Sequence, residues 1–184
     1  MMRFTTVLGV TLLFSTAIWG ARSQQILAIQ LADGTVYFAE PPSLDKATTT
    51  FRAPAVPATY YFTLSLPGKA GEPLQRVTFT QQQGIEDIKF DLKRTNAEAK
   101  TLSDSRQQLT LGEVTRNRKT KTVSVTFNPP VPPGCWVKIG LRSVSNPLYG
   151  GIYLFGVTAF PRGEKSHGQF LGFGRLQFFS QSFR

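Results

Sequence analysis

The chain has 184 residues, with 21 Lys and Arg against 11 Asp and Glu, one cysteine and one histidine. A single cysteine excludes an intrachain disulfide framework, and a single histidine excludes zinc or copper sites built from several His or Cys ligands. The net charge of +10 favours anionic partners and says nothing about fold.

The first 23 residues, MMRFTTVLGVTLLFSTAIWGARS, place Arg3 ahead of an apolar stretch from Phe4 to Trp19, then the small residues Ala21 and Ser23 before Gln24. This is the order of a secretory signal peptide. An uncleaved membrane anchor is the competing reading, but the apolar stretch is short for a spanning helix of ~20 residues. Cleavage after residue 23 leaves 184 − 23 = 161 residues, enough for one domain, residues 24–184, to bury a core without disulfides. Without Arg3 and Arg22 that domain carries 19 basic and 11 acidic residues, a charge of +8. Export argues against nucleic acid as a partner.

Weak strands are expected at ILAIQLA and TVYFA. Stronger ones follow, in which apolar residues alternate with polar ones as in half-buried strands. They are YYFTLSL (Phe62, Leu64, Leu66), RVTFTQ (Val77, Phe79) and DIKFDLK (Ile88, Phe90, Leu92). The stretch TNAEAKTLSDSRQQ has helix-tolerant composition and little apolar periodicity, and reads as a loop with at most one helical turn. Strands resume at QLTLGEV (Leu109, Leu111), TVSVTF (Val123, Val125, Phe127) and WVKIGL (Val137, Ile139, Leu141). Between the last two, Pro129, Pro130, Pro132 and Pro133 cannot donate to a sheet ladder and mark a connection.

In IYLFGVTAF both alternating sets are mostly apolar, which predicts a strand covered on both faces, with Gly156 admitting a close neighbour. A sticky exposed face carrying Tyr149, Tyr153 and Phe155 is the other reading. The prolines and glycines around the run make it a poor membrane helix. Eight or so short strands without a clear amphipathic helix predict an all-β fold, an antiparallel β-sandwich of immunoglobulin-like or jelly-roll-like kind.

Catalytic signals are thin. His167 lies in the loop EKSHGQ, no GxSxG elbow occurs, and Glu86, Asp87 and Asp91 sit among polar outward positions. No DxDxDG-like calcium loop is present. The residues therefore predict no enzyme, no metal and no cofactor. Cys135 reads as a small buried hydrophobe beside Trp136, with a reactive or pairing thiol as the alternative.

Two features could bind. The run RNRKTK puts Arg116, Arg118, Lys119 and Lys121 at a hairpin tip joining QLTLGEV to TVSVTF, a candidate anion-binding site. Tyr60, Tyr149 and Tyr153 are candidates for stacking on sugar rings, with core packing as the commoner use of such aromatics.

The tract from VTFNPPVPPGCWVKIGL to GQFLGFGRLQFF resembles the C-terminal half of a cyanobacterial family of exported domains of unknown function. The earlier YYFTLSLPGKAGEPLQRVTFTQQQGIEDIKFDL resembles its N-terminal half. The segments PVPPG, YLFGVTAFP and GQFLGFGR carry the resemblance. It implies a cyanobacterial source, export and one compact domain, with no activity or site residue to transfer. Relatives more often have a small polar residue where Cys135 follows the PVPPG glycine, which argues against a family role for the thiol.

The expected function is thus an exported, non-enzymatic binding or structural domain at the cell envelope, in the periplasm, outside the cell or in the thylakoid lumen. Its expected partners are anionic envelope polymers, lipids or a membrane complex, and the sequence leaves the oligomeric state open. A carbohydrate-acting enzyme using scattered carboxylates, or an accessory subunit of a membrane complex, is the alternative.

Overall fold

The structure is a computed structural model that describes residues 29–101 and 105–180. The expected leader and the start of the ILAIQLA strand lie outside the described residues. In chain order the strands are β1 (Ile29–Gln30), β2 (Val36–Tyr37), β3 (Ser43–Thr49), β4 (Thr59–Leu66), β5 (Leu74–Gln83), β6 (Asn96–Thr101), β7 (Arg106–Gln108), β8 (Leu111–Asn117), β9 (Thr122–Val131), β10 (Cys135–Arg142), β11 (Gly151–Pro161) and β12 (Gln169–Phe178).

Two five-stranded antiparallel sheets face each other, ordered β3-β4-β10-β6-β7 and β12-β11-β5-β9-β8, and β1 and β2 form a short ribbon apart. The fold is the all-β antiparallel sandwich that the alternation predicts, with more strands than the expected eight. Inward residues of β4 (Tyr60, Phe62, Leu64, Leu66) and β10 (Val137, Ile139, Leu141) meet those of β5, β9 and β11 in one buried cluster. Phe62 spans the two layers, 4.6 Å from the Phe79 ring and 5.8 Å from Phe155. Aromatic pairs at this spacing contribute ~0.5–1.5 kcal/mol beyond the area they bury.

Six segments depart from expectation. DIKFDLK is not a strand: it lies in the connection from β5 in one sheet to β6 in the other, and ends in a 3₁₀ turn at Leu92–Arg94. Its alternation is real because the connection closes the end of the sandwich. Ile88 is buried, and Phe90 stands edge-on to Tyr60 at 5.6 Å. The buried Gln81 ties this segment to β5 by donating to the Glu86 carbonyl (2.6 Å) and accepting the Ile88 N–H (3.0 Å).

The stretch read as a loop, TNAEAKTLSDSRQQ, contains β6 and β7. Small Ala97 and Ala99 supply its inward face, so its apolar contrast is weak although both are buried. Strands β3 and β12 stand at sheet edges and were not expected. In β12 the left-handed Gly172 (φ +106°) accompanies a bulge opposite Val157/Thr158, which breaks the strict period of two.

Pro129 and Pro130 lie within β9 rather than in a connection. Pairing with β5 is interrupted there, running from Arg76↔Thr126 to Leu74↔Val131, so neither proline has to supply a ladder donor to β5. Finally, β11 is covered fully on one face only. Tyr153, Phe155, Val157 and Ala159 are buried, whereas Ile152 is exposed and Leu154, Thr158 and Phe160 are half-buried on the outer face. Gly156 admits Phe170, whose Cε2 would lie 3.3 Å from an added Cβ.

Candidate functional site

The hairpin tip forms as its sequence predicts, with residues 118–121 turning between β8 and β9. Asn117 builds the turn: its Oδ1 accepts the backbone N–H of Lys119 (2.9 Å) and Thr120 (3.2 Å). Lys121 takes a left-handed backbone (φ +53°), a conformation that costs a non-glycine residue about 1–2 kcal/mol. Arg118, Lys119 and Lys121 are exposed there.

Arg116 does not join them. Its guanidinium reaches Asp87 at 2.7 and 2.8 Å and the Ile88 carbonyl at 3.1 Å, and its side chain is only 13% exposed. The four cations of the run thus divide into three that face solvent and one that braces the β5–β6 connection.

The three tyrosines divide as well. Tyr60 and Tyr153 are fully buried and present no ring to a sugar, a correction to their candidacy for stacking. Tyr60 Oη donates to Asn146 Oδ1 (2.8 Å), and Asn146 Nδ2 donates in turn to the Phe51 (3.0 Å) and Ala53 (2.9 Å) carbonyls. Burial raises the phenol of Tyr60 far above its ordinary range and raises that of Tyr153 also. Tyr149 alone is exposed, at 61%; its N–H is accepted by Glu86 Oε1 at 2.8 Å.

Cys135 is buried, its Sγ donates to the Pro132 carbonyl at 3.3 Å, and burial pushes the thiol up. His167 is exposed, with its ring stacked on Tyr37 at 4.5 Å. Glu86 and Asp87 are engaged in holding the β5–β6 connection. Among the described residues no group of three or more His, Cys, Asp or Glu comes together to hold a metal ion, and no helix is long and apolar enough to cross a membrane.

A further surface was missed by sequence reasoning. On the outer face of the first sheet, β10 turns Trp136 and Lys138 to solvent while Cys135, Val137 and Ile139 point inward. Trp136 stands in one cross-strand row between Ser65 and Lys100, with Arg106 opposite Lys100; Lys138 stands in the next between Thr63 and Glu98. Trp136, Lys138, Lys100, Arg106, Glu98 and Thr63 line an open depression of about 330 Å³. Lys138 Nζ is 3.3 Å from Glu98 Oε1 and 4.4 Å from the centre of the Tyr61 ring. The alternation of WVKIGL could have shown Trp136 and Lys138 as outward partners. Glu98, Lys100 and Arg106 lay in the stretch read as a loop, where no register could be drawn.

Residues 35–178 match the family described as Protein of unknown function (DUF2808). The chain belongs to this family. Membership of a family of unknown function is what the sequence led one to expect, and it brings no assigned activity. Among curated proteins none matches the chain.

Solved structures similar to this DUF2808 chain include the pilus 2b backbone protein of group B streptococcus, at 9% identity and a TM-score of 0.46, over 72% of this chain and 56% of that one. The chain thus spans little more than half the length of that protein. The collagen-binding domain of a Staphylococcus aureus adhesin is similar at 10% identity and a TM-score of 0.40, over 72% and 95% of the two chains. An uncharacterized Nocardia farcinica protein with an immunoglobulin-like fold is similar at 14% identity and a TM-score of 0.42, over 72% and 96%.

Proposed function

We propose that this DUF2808 protein is an exported, non-enzymatic binding domain that docks on an anionic surface of the cell envelope. The observation that carries the reading is the β8–β9 tip. Arg118, Lys119 and Lys121 are exposed on a turn that Asn117 holds in shape, in a domain with a net charge of +8 once residues 1–23 are removed. Each cation near an anionic surface contributes on the order of 1 kcal/mol, screened by salt. Export rests on the leader-like order of residues 1–23. A cyanobacterial source, and the periplasm, the cell exterior or the thylakoid lumen as compartment, rest on the resemblance of the quoted segments.

The test is a triple change of Arg118, Lys119 and Lys121 to Gln. Melting should stay nearly unchanged, while retention on phosphatidylglycerol vesicles or isolated envelope falls, most strongly at low ionic strength. Retention equal to that of the unmodified protein across a salt series would remove the tip as the docking element. Protein recovered outside the cytoplasm should begin at or near Gln24.

A further inference from the structure

We infer that the depression around Trp136 binds an acidic polysaccharide, a chain of carboxylated sugar rings, and that it does so at a place separate from the β8–β9 tip. The inference rests on the reading of this chain as a binding domain for anionic partners and names a second site and a ligand class for it.

Four observations support it. Trp136 is on the solvent face of a sheet whose inner face is already filled, and 36% of it is exposed. An indole in that position offers an apolar, flat surface on which the C–H face of a pyranose ring can lie. Beside it are three cations that line the depression: Lys138 on the same strand, Lys100 on β6 and Arg106 on β7. Arg106 is exposed, and its planar fork matches a carboxylate with two parallel hydrogen bonds.

The third observation is Glu98, which sits among these cations, 3.3 Å from Lys138. A lipid phosphate or bare inorganic anion has no hydroxyl to donate to this paired carboxylate. A sugar bearing both carboxylate and hydroxyl groups uses it as an acceptor, with the Thr63 hydroxyl able to donate or accept alongside. The mixture of one indole, three cations, one carboxylate and one hydroxyl therefore fits a polyhydroxylated anion better than a charged membrane.

The fourth is spacing. Ser65, Trp136, Lys100 and Arg106 occupy one cross-strand row, and adjacent strands in a sheet are ~4.8 Å apart. Such a row presents side chains at intervals comparable to successive rings of a polysaccharide lying across the strands.

The test is a titration of the full chain with polygalacturonate, followed by tryptophan fluorescence and by affinity electrophoresis, with dextran as the neutral polymer. Trp136 is one of two tryptophans, the other being Trp19, so the Trp136→Phe variant reports what Trp19 contributes. Polygalacturonate should change the emission of the unmodified chain, and that change should vanish in Trp136→Phe. Retardation by polygalacturonate should weaken at least tenfold in Trp136→Ala and in Arg106→Gln, with dextran causing none. Arg106→Gln keeps the test open should Trp136→Ala fold poorly, because Arg106 is exposed.

Unchanged retardation of a folded Trp136→Ala or Arg106→Gln chain would overturn the inference, as would equal retardation by dextran. The tip variant separates the two proposals. Changing Arg118, Lys119 and Lys121 to Gln should reduce vesicle retention and leave polygalacturonate binding intact. Vesicle binding without polygalacturonate binding would overturn the glycan site alone, and the converse would overturn the docking tip alone.

Discussion

The Arg116 guanidinium holds both carboxylate oxygens of Asp87, at 2.7 and 2.8 Å, from a position 29 residues further along the chain. With its third contact to the Ile88 carbonyl, it fastens β8 to the connection that closes one end of the sandwich. A cation that sequence alone places in a binding patch is thereby a brace.

Replacing Arg116 by Gln should destabilise the fold by about 1–2 kcal/mol, since hydrogen bonds to charged groups are worth more than neutral ones while the 38% exposure of Asp87 discounts the pair. Arg118→Gln should change stability by less than about 0.5 kcal/mol. Urea midpoints of Arg116→Gln, Asp87→Asn and the double variant should be non-additive, the double costing less than the sum of the singles. Strict additivity would show that the pair does not brace the fold.

Tyr60→Phe should cost about 1–3 kcal/mol, because it removes the hydroxyl that satisfies the buried Asn146 Oδ1. The same phenol sets a pH dependence. Burial raises its folded-state pKa, whereas in the unfolded chain it ionises near pH ~10. Above that pH the unfolded state has released a proton that the folded state retains. Stability that is fully present below about pH 10 is then lost as pH rises toward the folded value. Urea midpoints between neutral and alkaline pH should fall, and Tyr60→Phe should flatten the fall.

Cys135 should react slowly with a thiol reagent in the folded protein and rapidly once denaturant is added. It is buried, and its thiol is shifted upward by burial, which leaves little thiolate to attack. Rapid labelling without denaturant would contradict this placement.

Gly174 and Gly156 should respond differently to alanine. A Cβ on Gly174 would lie 2.6 Å from Cε1 of the buried Phe62 and 3.0 Å from Ala47 Cβ, so overpacking should cost ~1–3 kcal/mol. A Cβ on Gly156 would meet Phe170 and Gln82, both exposed and free to move aside, at 3.3 and 3.5 Å. Gly156→Ala should fall within about 0.5 kcal/mol of the unmodified protein. Equal thermal shifts in the two variants would mean that the inner and outer faces of these strands have been assigned wrongly.

Alternation along single strands was enough to make the chain all-β and to orient Phe62, Leu64, Val77, Phe79, Val125, Val137 and Ile139 inward, because the pleat sends successive side chains to opposite faces whatever the strand pairs with. Composition likewise marked the β8–β9 turn as cationic. Alternation could not separate a strand from a connection that covers the core, and so Ile88 and Phe90 looked like a ladder although their segment passes from one sheet to the other. It was also blind where alanine, not a larger residue, faces inward, as at Ala97 and Ala99 of β6. Only the paired sheets put Asp87 against Arg116, buried Tyr60 and Tyr153, and drew Trp136, Glu98 and Arg106 from three strands onto one face. Those relations depend on which strands lie side by side, and register between distant segments is set by the packing of the whole sandwich, not by the residues of any one strand.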